Sequence, residues 1–232
     1  MFSITGNSSE LSCCLYPPFD LTTAEHWEIG FLDLLTYNSI PNVEQNVNNS
    51  IYIEGEEAIT LPTGSYEISD LNKYIKKTLQ DRNTNTSFEL LPNNNTLKSE
   101  IFCSKRIDFT QANTLAPLLG FSNKLILDSN KWHSSDNQVA INKVDVIRIT
   151  CSAVKGSYKD GVEGHILHEF YPTVEPGFKI VEVPNFVKYL PVNKKGSLEE
   201  LYLRLEDQNG NLVNFRGEGI NIRLAIREKP KQ

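Results

Sequence analysis

The chain is short of the residues from which most sites are built. It has four histidines, one methionine and two tryptophans in 232 residues, and its four cysteines (13, 14, 103 and 151) show no CxxC spacing. That leaves no zinc-finger or thioredoxin-type pattern, and reduced thiols are expected. There is no run of 18 apolar residues, so no membrane-spanning helix is expected. The start, MFSITGNSSELSCC, has neither a basic region nor a long apolar core, so a signal peptide is not expected. Positive charge is also scarce. Lys and Arg number 23 against 29 Asp and Glu, a net charge of −6, which argues against a nucleic-acid or membrane-surface protein. The basic tail REKPKQ is too short to act as an arm. Internal repeats, heptads and low-complexity linkers are missing too, so one domain over 1–232 is expected, with a flexible arm at 1–10 and a tail at 229–232.

Asparagine is plentiful. Four Asn-x-Ser/Thr sequons start at Asn7, Asn48, Asn85 and Asn94. In a chain rich in Asn, Ser and Thr they arise by chance, and they mark polar loops such as 42–50 and 80–87.

Between the loops the apolar residues come in short strand-like runs. LSCCLYPPFDL opens as a strand and is expected to break at Pro17-Pro18. In HWEIGFLDLLTY the alternation changes phase at Phe31-Leu32, which predicts a bulge or a strand buried on both faces. SIYIEG and EAITLP read as a hairpin turning through 54–57. A single helix near 68–80 places Ile68, Leu71, Ile75 and Leu79 on one face, with Ser69 as N-cap and Lys76 and Lys77 toward its end. A short turn at 111–121 is expected to stop at Gly120. From residue 139 onward the pattern is almost pure β. Asn209-Gly210 reads as a type I′ hairpin turn. Eight to ten short strands with one inserted helix predict an all-β, single jelly-roll β-sandwich.

Chemistry has no visible carrier. His165 and His168 in GHILHEF look like a metal pair, but the glycines and prolines around them leave room only for a strand. On a strand they face opposite ways and cannot grip one ion. A site built across strands from His165 and Glu169 with His26 or His133 is the remaining metal arrangement. WHSSD (132–136) has the letters of a Ser/His/Asp site without a nucleophile elbow. LPTGSY and VKGSYKDG contain neither phosphate-cradle pattern. DQNGN lacks the later glutamate of a calcium loop. No catalytic, cofactor-binding or metal residue is therefore assigned, no cofactor is expected, and the chain is not expected to be an enzyme.

Five phrases matter together: TYNSIPNV (36–43), ITLPTGSYEISDLNKYI (59–75), NNNTLKSEI (93–101), IDFTQANTLAPLLGF (107–121) and LRLEDQNGNLVNFRGEGINIRL (203–224). On them the chain resembles the capsid-type proteins of Polinton/Maverick elements and related, adenovirus-like viruses, most of all their minor capsid protein, the single jelly-roll penton. LPTGSYEISDLNKYI is also similar to a stretch of adenovirus penton base, where a strand ends in a Leu-Pro-x-Gly-x-Tyr turn and runs into a helix. The resemblance implies a structural capsid subunit without catalytic residues. Its implied partners are copies of itself, as a homo-oligomer with the pentamer as the penton form, and a major double jelly-roll capsid protein. Its implied location is the virion capsid, assembled inside the host cell, with no direct nucleic-acid or membrane role. The RGD that some penton bases use is missing here. In the local pattern, TLAPLLGF is unusually apolar for a loop. It reads either as a plug over the sandwich core or as a subunit contact through Leu115, Leu118, Leu119 and Phe121. The alternative to a capsid role is a host-domesticated or secreted binding module, lectin- or adhesion-like. A cupin-type enzyme would need clustered His and Glu ligands.

Overall fold

The structure is a computed structural model that describes residues 1–141 and 143–230. In chain order the elements are β1 (Phe2–Gly6), β2 (Glu10–Asp20), β3 (Trp27–Tyr37), β4 (Ser50–Ile51), β5 (Ile59–Thr60) and α1 (Ile68–Asp81). Then come β6 (Phe88–Asn93), β7 (Lys98–Cys103), β8 (Ile107–Asp108), β9 (Ile126–Leu127), β10 (Lys131–Ser134) and β11 (Ile147–Cys151). The chain finishes with β12 (Ser157–Lys159), β13 (Val162–Gly164), β14 (Ile166–Phe170), β15 (Lys179–Glu182), β16 (Tyr189–Pro191), β17 (Ser197–Glu206) and β18 (Ile220–Glu228). The fold is mainly antiparallel β with one α-helix among the described residues.

These elements group into two compact units, Met1–Ile40 with Val144–Gln232, and Pro41–Lys143. The first is the roll. One of its sheets runs β1-β18-β3-β15, with β16 also on β3, and the other runs β14-β11-β17-β2. Taking β15 and β16 as one broken strand, this is the two-sheet, eight-strand jelly-roll order. Ile29, Phe31, Leu34, Ile222 and Leu224 from the first sheet and Ile147, Ile149, Leu201, Leu203 and Leu205 from the second share one buried core. Each fully buried side chain of this kind contributes about 1.5–3 kcal/mol of transfer free energy. The alternation of β17 shows the cause: its leucines face in while Tyr202, Arg204 and Glu206 face out.

The phase change in β3 is a bulge. Arg223 pairs with Asp33 and Leu224 with Phe31, so Leu32 has no partner on β18. The extra residue flips the sides, which is why Phe31 and Leu34 both reach the core. β2 runs through Pro17 and Pro18, but its pairing with β17 skips from Cys14 to Phe19, because neither proline has an N–H to give. Residues 1–10, expected as a flexible arm, are otherwise: Phe2–Gly6 pair with β18 from Ile220 to Leu224, and Ile4 is buried. Of the expected tail, Lys229 donates its N–H to the His26 carbonyl (2.9 Å), and 231–232 lie outside the described residues.

Pro41–Lys143 sits in the connection between β3 and β11. A single roll over the whole chain was expected; the roll's strands occupy the two ends, and the middle has a core of its own. Helix α1 runs over Ile68–Asp81 and buries the four predicted residues Ile68, Leu71, Ile75 and Leu79. Its N-cap is Glu67, not Ser69, and the Asp70 carboxylate accepts the Glu67 N–H (3.4 Å). Lys76 and Lys77 fall mid-helix. Arg82, just past the end, donates instead to the carbonyls of Glu57 and Ala58. The hairpin around 54–57 forms as β4–β5. The turn at 111–121 closes with Leu119 N–H on Leu115 O and Phe121 N–H on Ala116 O, and Gly120 ends it at φ +80°. Gly64 does not have a positive φ and serves close approach: it bridges Val43, and a Cβ there would lie 3.0 Å from the Tyr66 ring.

Candidate functional site

The two histidines of GHILHEF are held by different partners, though not through strict strand alternation. β14 carries a register shift opposite Ile149/Thr150, so Leu167 and Phe170 both go to the core rather than alternating strictly. His165 Nδ1 lies 2.6 Å from the Val154 carbonyl oxygen, to which it donates. His168 stacks on Phe31, with ring centroids 4.3 Å apart and an 11° tilt. Its Nε2 lies 2.8 Å from Glu182 Oε1, so that nitrogen carries the proton and the carboxylate accepts. Glu169 pairs with Arg148 Nε at 2.5 Å. His133 holds the Asp128 carbonyl at 2.9 Å, and His26 stands beside Glu25. The cross-strand arrangement of His165, Glu169, His26 and His133 is thus not assembled. Among the described residues no three His, Cys, Asp or Glu side chains group as a metal-binding set.

In WHSSD the hydroxyl of Ser135 is buried and donates to the Asn137 carbonyl (2.7 Å), while Asp136 accepts the Ser122 N–H. These bonds fasten a loop and leave no nucleophile facing a base.

Leu115, Leu118, Leu119 and Phe121 are 0–4% exposed and belong to the core of the insert, with Phe109 and Ile101. Their apolar surface is already spent inside the chain and is not offered to a neighbour. TLAPLLGF thus packs in the insert's own core and not over the core of the sandwich, as the plug reading had it, and these four side chains are buried rather than exposed as the subunit-contact reading needs.

Two clefts on the roll are lined by described residues. The first, of about 620 Å³, opens between the edge strands β14 and β15 and is lined by Ile166, His168, Glu182, Val183, Phe186 and Leu190. A His–Glu pair at a cleft resembles half of an acid–base dyad, but the hydroxyl on the wall, Ser157, accepts the Ile166 N–H at 2.8 Å and serves the backbone. The second, of about 440 Å³, lies on the outer face of the other sheet, around Arg148, Lys159, Glu163, Tyr202, Arg204 and Glu206. Its charges are matched: Arg204 bonds Glu206 at 2.8 Å and approaches Glu10, and Tyr202 donates to Glu10 at 2.5 Å, which pushes the phenol's pKa up. With Arg148 engaged by Glu169 and by the carbonyl of Gln208, no unbalanced positive field remains to draw a phosphate.

The outer face of the first sheet is also laid in pairs. Arg223 stands opposite Asp33 and bonds both its oxygens, and Arg227 stands opposite Glu28 and covers the Tyr189 ring at 3.5 Å. Such cross-strand pairs tie neighbouring strands together.

What the sequence did not reveal is the edge formed by FKIVEVPNF. Phe178, Val181, Val183 and Phe186 are 57–69% exposed, along and just beyond β15. The apolar residues of this edge are broken up by Lys179, Glu182, Pro184 and Asn185, and period-2 alternation alone does not tell an edge strand from an inner one.

No family model matches the chain, and no curated protein matches it. Among solved structures, the chain is similar to the selenomethionine-labelled penton protein of mavirus, at 10% identity, with a TM-score of 0.48, over 97% of this chain and 98% of that one.

Proposed function

We propose that this protein is a structural capsid subunit of the single jelly-roll, penton-like kind, working by symmetric self-association and without catalysis. The observation that carries the reading is the strand order, β1-β18-β3-β15 against β14-β11-β17-β2, an eight-stranded roll of the architecture used by viral capsid domains. Fold does not fix function. The capsid-like phrases between residues 36 and 224 add support. Its partners are copies of itself, with a pentamer as the penton form, and a major double jelly-roll capsid protein. Its place is the virion shell, assembled in the host cell. Among the described residues no helix is long and apolar enough to cross a membrane.

One observation favours a second reading, the binding module of host-domesticated or secreted type. Trp132 on β10 is half exposed and lies 5.6 Å from the Phe102 ring on β7, an open aromatic pair of a kind that ligands stack on. Electron microscopy of the purified protein separates the two. Closed rings or particles support the capsid role. Isolated monomers that bind glycans support the module and overturn it.

A further inference from the structure

The first sheet of the roll ends in two strands that each have one ladder partner. Among the described residues β15 pairs only with β3 and, at the other edge of the same sheet, β1 pairs only with β18. Each therefore presents a row of backbone N–H and C=O groups without a strand beside it, a template for another chain unless the edge is guarded by charge, proline or a bulge. β1 reads FSITG, with no charge and no proline, whereas β15 reads KIVE with Pro184 just beyond it and is guarded in part. Next to β15, the stretch Phe178–Phe186 carries four of the chain's exposed large apolar side chains within nine residues.

Area decides whether this is ordinary surface. An aromatic side chain holds roughly 150–250 Å². Two phenylalanines and two valines, each about two-thirds exposed, present on the order of 400 Å². These side chains stand on more than one face, Val181 outward and Val183 and Phe186 at the cleft, so the sum is the apolar area along the edge and not one patch. It is about half of the roughly 800 Å² that each partner buries in a stable complex. Backbone pairing and a polar rim supply the rest.

Resting on the self-assembly reading above, we propose that the occupant of this edge is a second copy of the chain, whose β1 adds to β15 and continues the sheet from one subunit into the next. The two edges are different surfaces on opposite sides of one sheet, so the contact is heterologous and repeats until a ring closes. The lengths agree, five residues in β1 against four in β15. Ser3 and Val181 both stand on the outer face of the sheet, since their neighbours Ile4 and Ile180 are in the core. They meet on the same side of the joined sheet.

The test uses full-length protein with Cys13→Ser and Cys14→Ser, so that the partly and fully exposed native thiols do not interfere. Ser3→Cys and Val181→Cys are made in separate chains and oxidised alone and mixed. A disulfide-linked dimer that forms in the mixture, and in neither protein alone, supports the proposal. A second variant, Val181→Glu with Phe186→Glu, is expected to sediment as a monomer with an unchanged β-type circular dichroism spectrum. Linkage within the Val181→Cys protein alone means a two-fold pairing of β15 with β15 and overturns the β1 contact. An oligomer that survives the double variant and yields no mixed disulfide overturns this surface while leaving self-assembly standing. A wild-type chain that is monomeric at every concentration overturns both.

Discussion

The roll and its insert are built from the same alternating strands but by opposite routes through the sequence. In the roll, β3 pairs with β18 and β2 with β17, partners separated by most of the chain. In the insert every partner lies within Pro41–Lys143: the β6–β7 hairpin is local, and α1 docks on β6. Local contacts form early because little loop entropy is lost, whereas the roll closes only when both ends of the chain are present. The insert's own ends are tied by an ion pair of Lys143 with Glu44, so a folded insert asks little more of the roll than a short turn would. A long excursion between two strands of a jelly roll is therefore cheap when it folds on itself.

Each unit holds one buried cysteine, Cys151 in the roll and Cys103 in the insert, which makes the comparison measurable. Burial pushes the Cys151 thiol up to about 11, against the backbone N–H groups of Ala153 and Val154 that favour its thiolate, and burial raises Cys103 in the same direction. Both are expected to resist a thiol reagent that labels exposed Cys14 at once. Phe109→Ala in the insert and Phe31→Ala in the roll each remove a fully buried ring, at a cost of about 3–5 kcal/mol. Phe109→Ala is expected to unmask Cys103 first and Phe31→Ala to unmask Cys151 first. If either variant exposes both thiols together, the two units unfold as one and the comparison breaks.

Next in size is Gly120→Ala in the insert. At φ +80° an added Cβ would meet the Asn137 carbonyl oxygen at 2.3 Å, so strain and clash combine, and a loss on the order of 3 kcal/mol is expected in a urea melt.

In the roll, Asp207→Asn is expected to cost about 2 kcal/mol at neutral pH. Burial raises this carboxyl's pKa, but hydrogen bonds from the Asn211 side chain and from the N–H groups of Asn211 and Asn209 outweigh it and hold the pKa below its ordinary 3.8. A folded pKa below the unfolded one stabilises fully above the unfolded value and is lost as pH falls through the folded one. The gap between wild type and variant should thus be constant from pH 5 to 7 and shrink below about pH 4. A gap that does not shrink at all as pH falls below 4 would show that shape, not charge, matters at this position.

The smallest effect is expected at Gly210→Ala. Its φ of +88° resembles that of Gly120, but nothing lies within 4 Å of an added Cβ, so only the left-handed backbone term of about 1–2 kcal/mol remains. Equal losses at the two glycines would mean that space plays no part.

The sequence was most legible where one residue type settles one geometry. The four buried residues of α1, the bulge at Leu32 and the stop at Gly120 were all readable, because period and positive φ are local properties. Asn209-Gly210 shows the limit. The turn is there, yet only Gly210 has positive φ, the Asp207 carboxylate organises the loop, and the return arm is a single bridge from Glu206 to Leu212. The type I′ turn lies at Asp160-Gly161, where both residues have positive φ between β12 and β13. Dipeptide chemistry marks both places equally; the strands around them decide. The insert was hidden because its ends carry no linker composition. The burial of Leu118 and Leu119 and the exposure of Phe178 and Phe186 were beyond reach for one reason: an apolar residue does not state which surface covers it.

The account's central claim is the proposal that the roll works by joining copies of itself. Sedimentation velocity of the wild-type chain across concentration and salt tests it most directly. The prediction is a mass that rises from the 26.3 kDa monomer to one closed multiple and stops there. A species that stays at the monomer mass at every concentration and salt would contradict it.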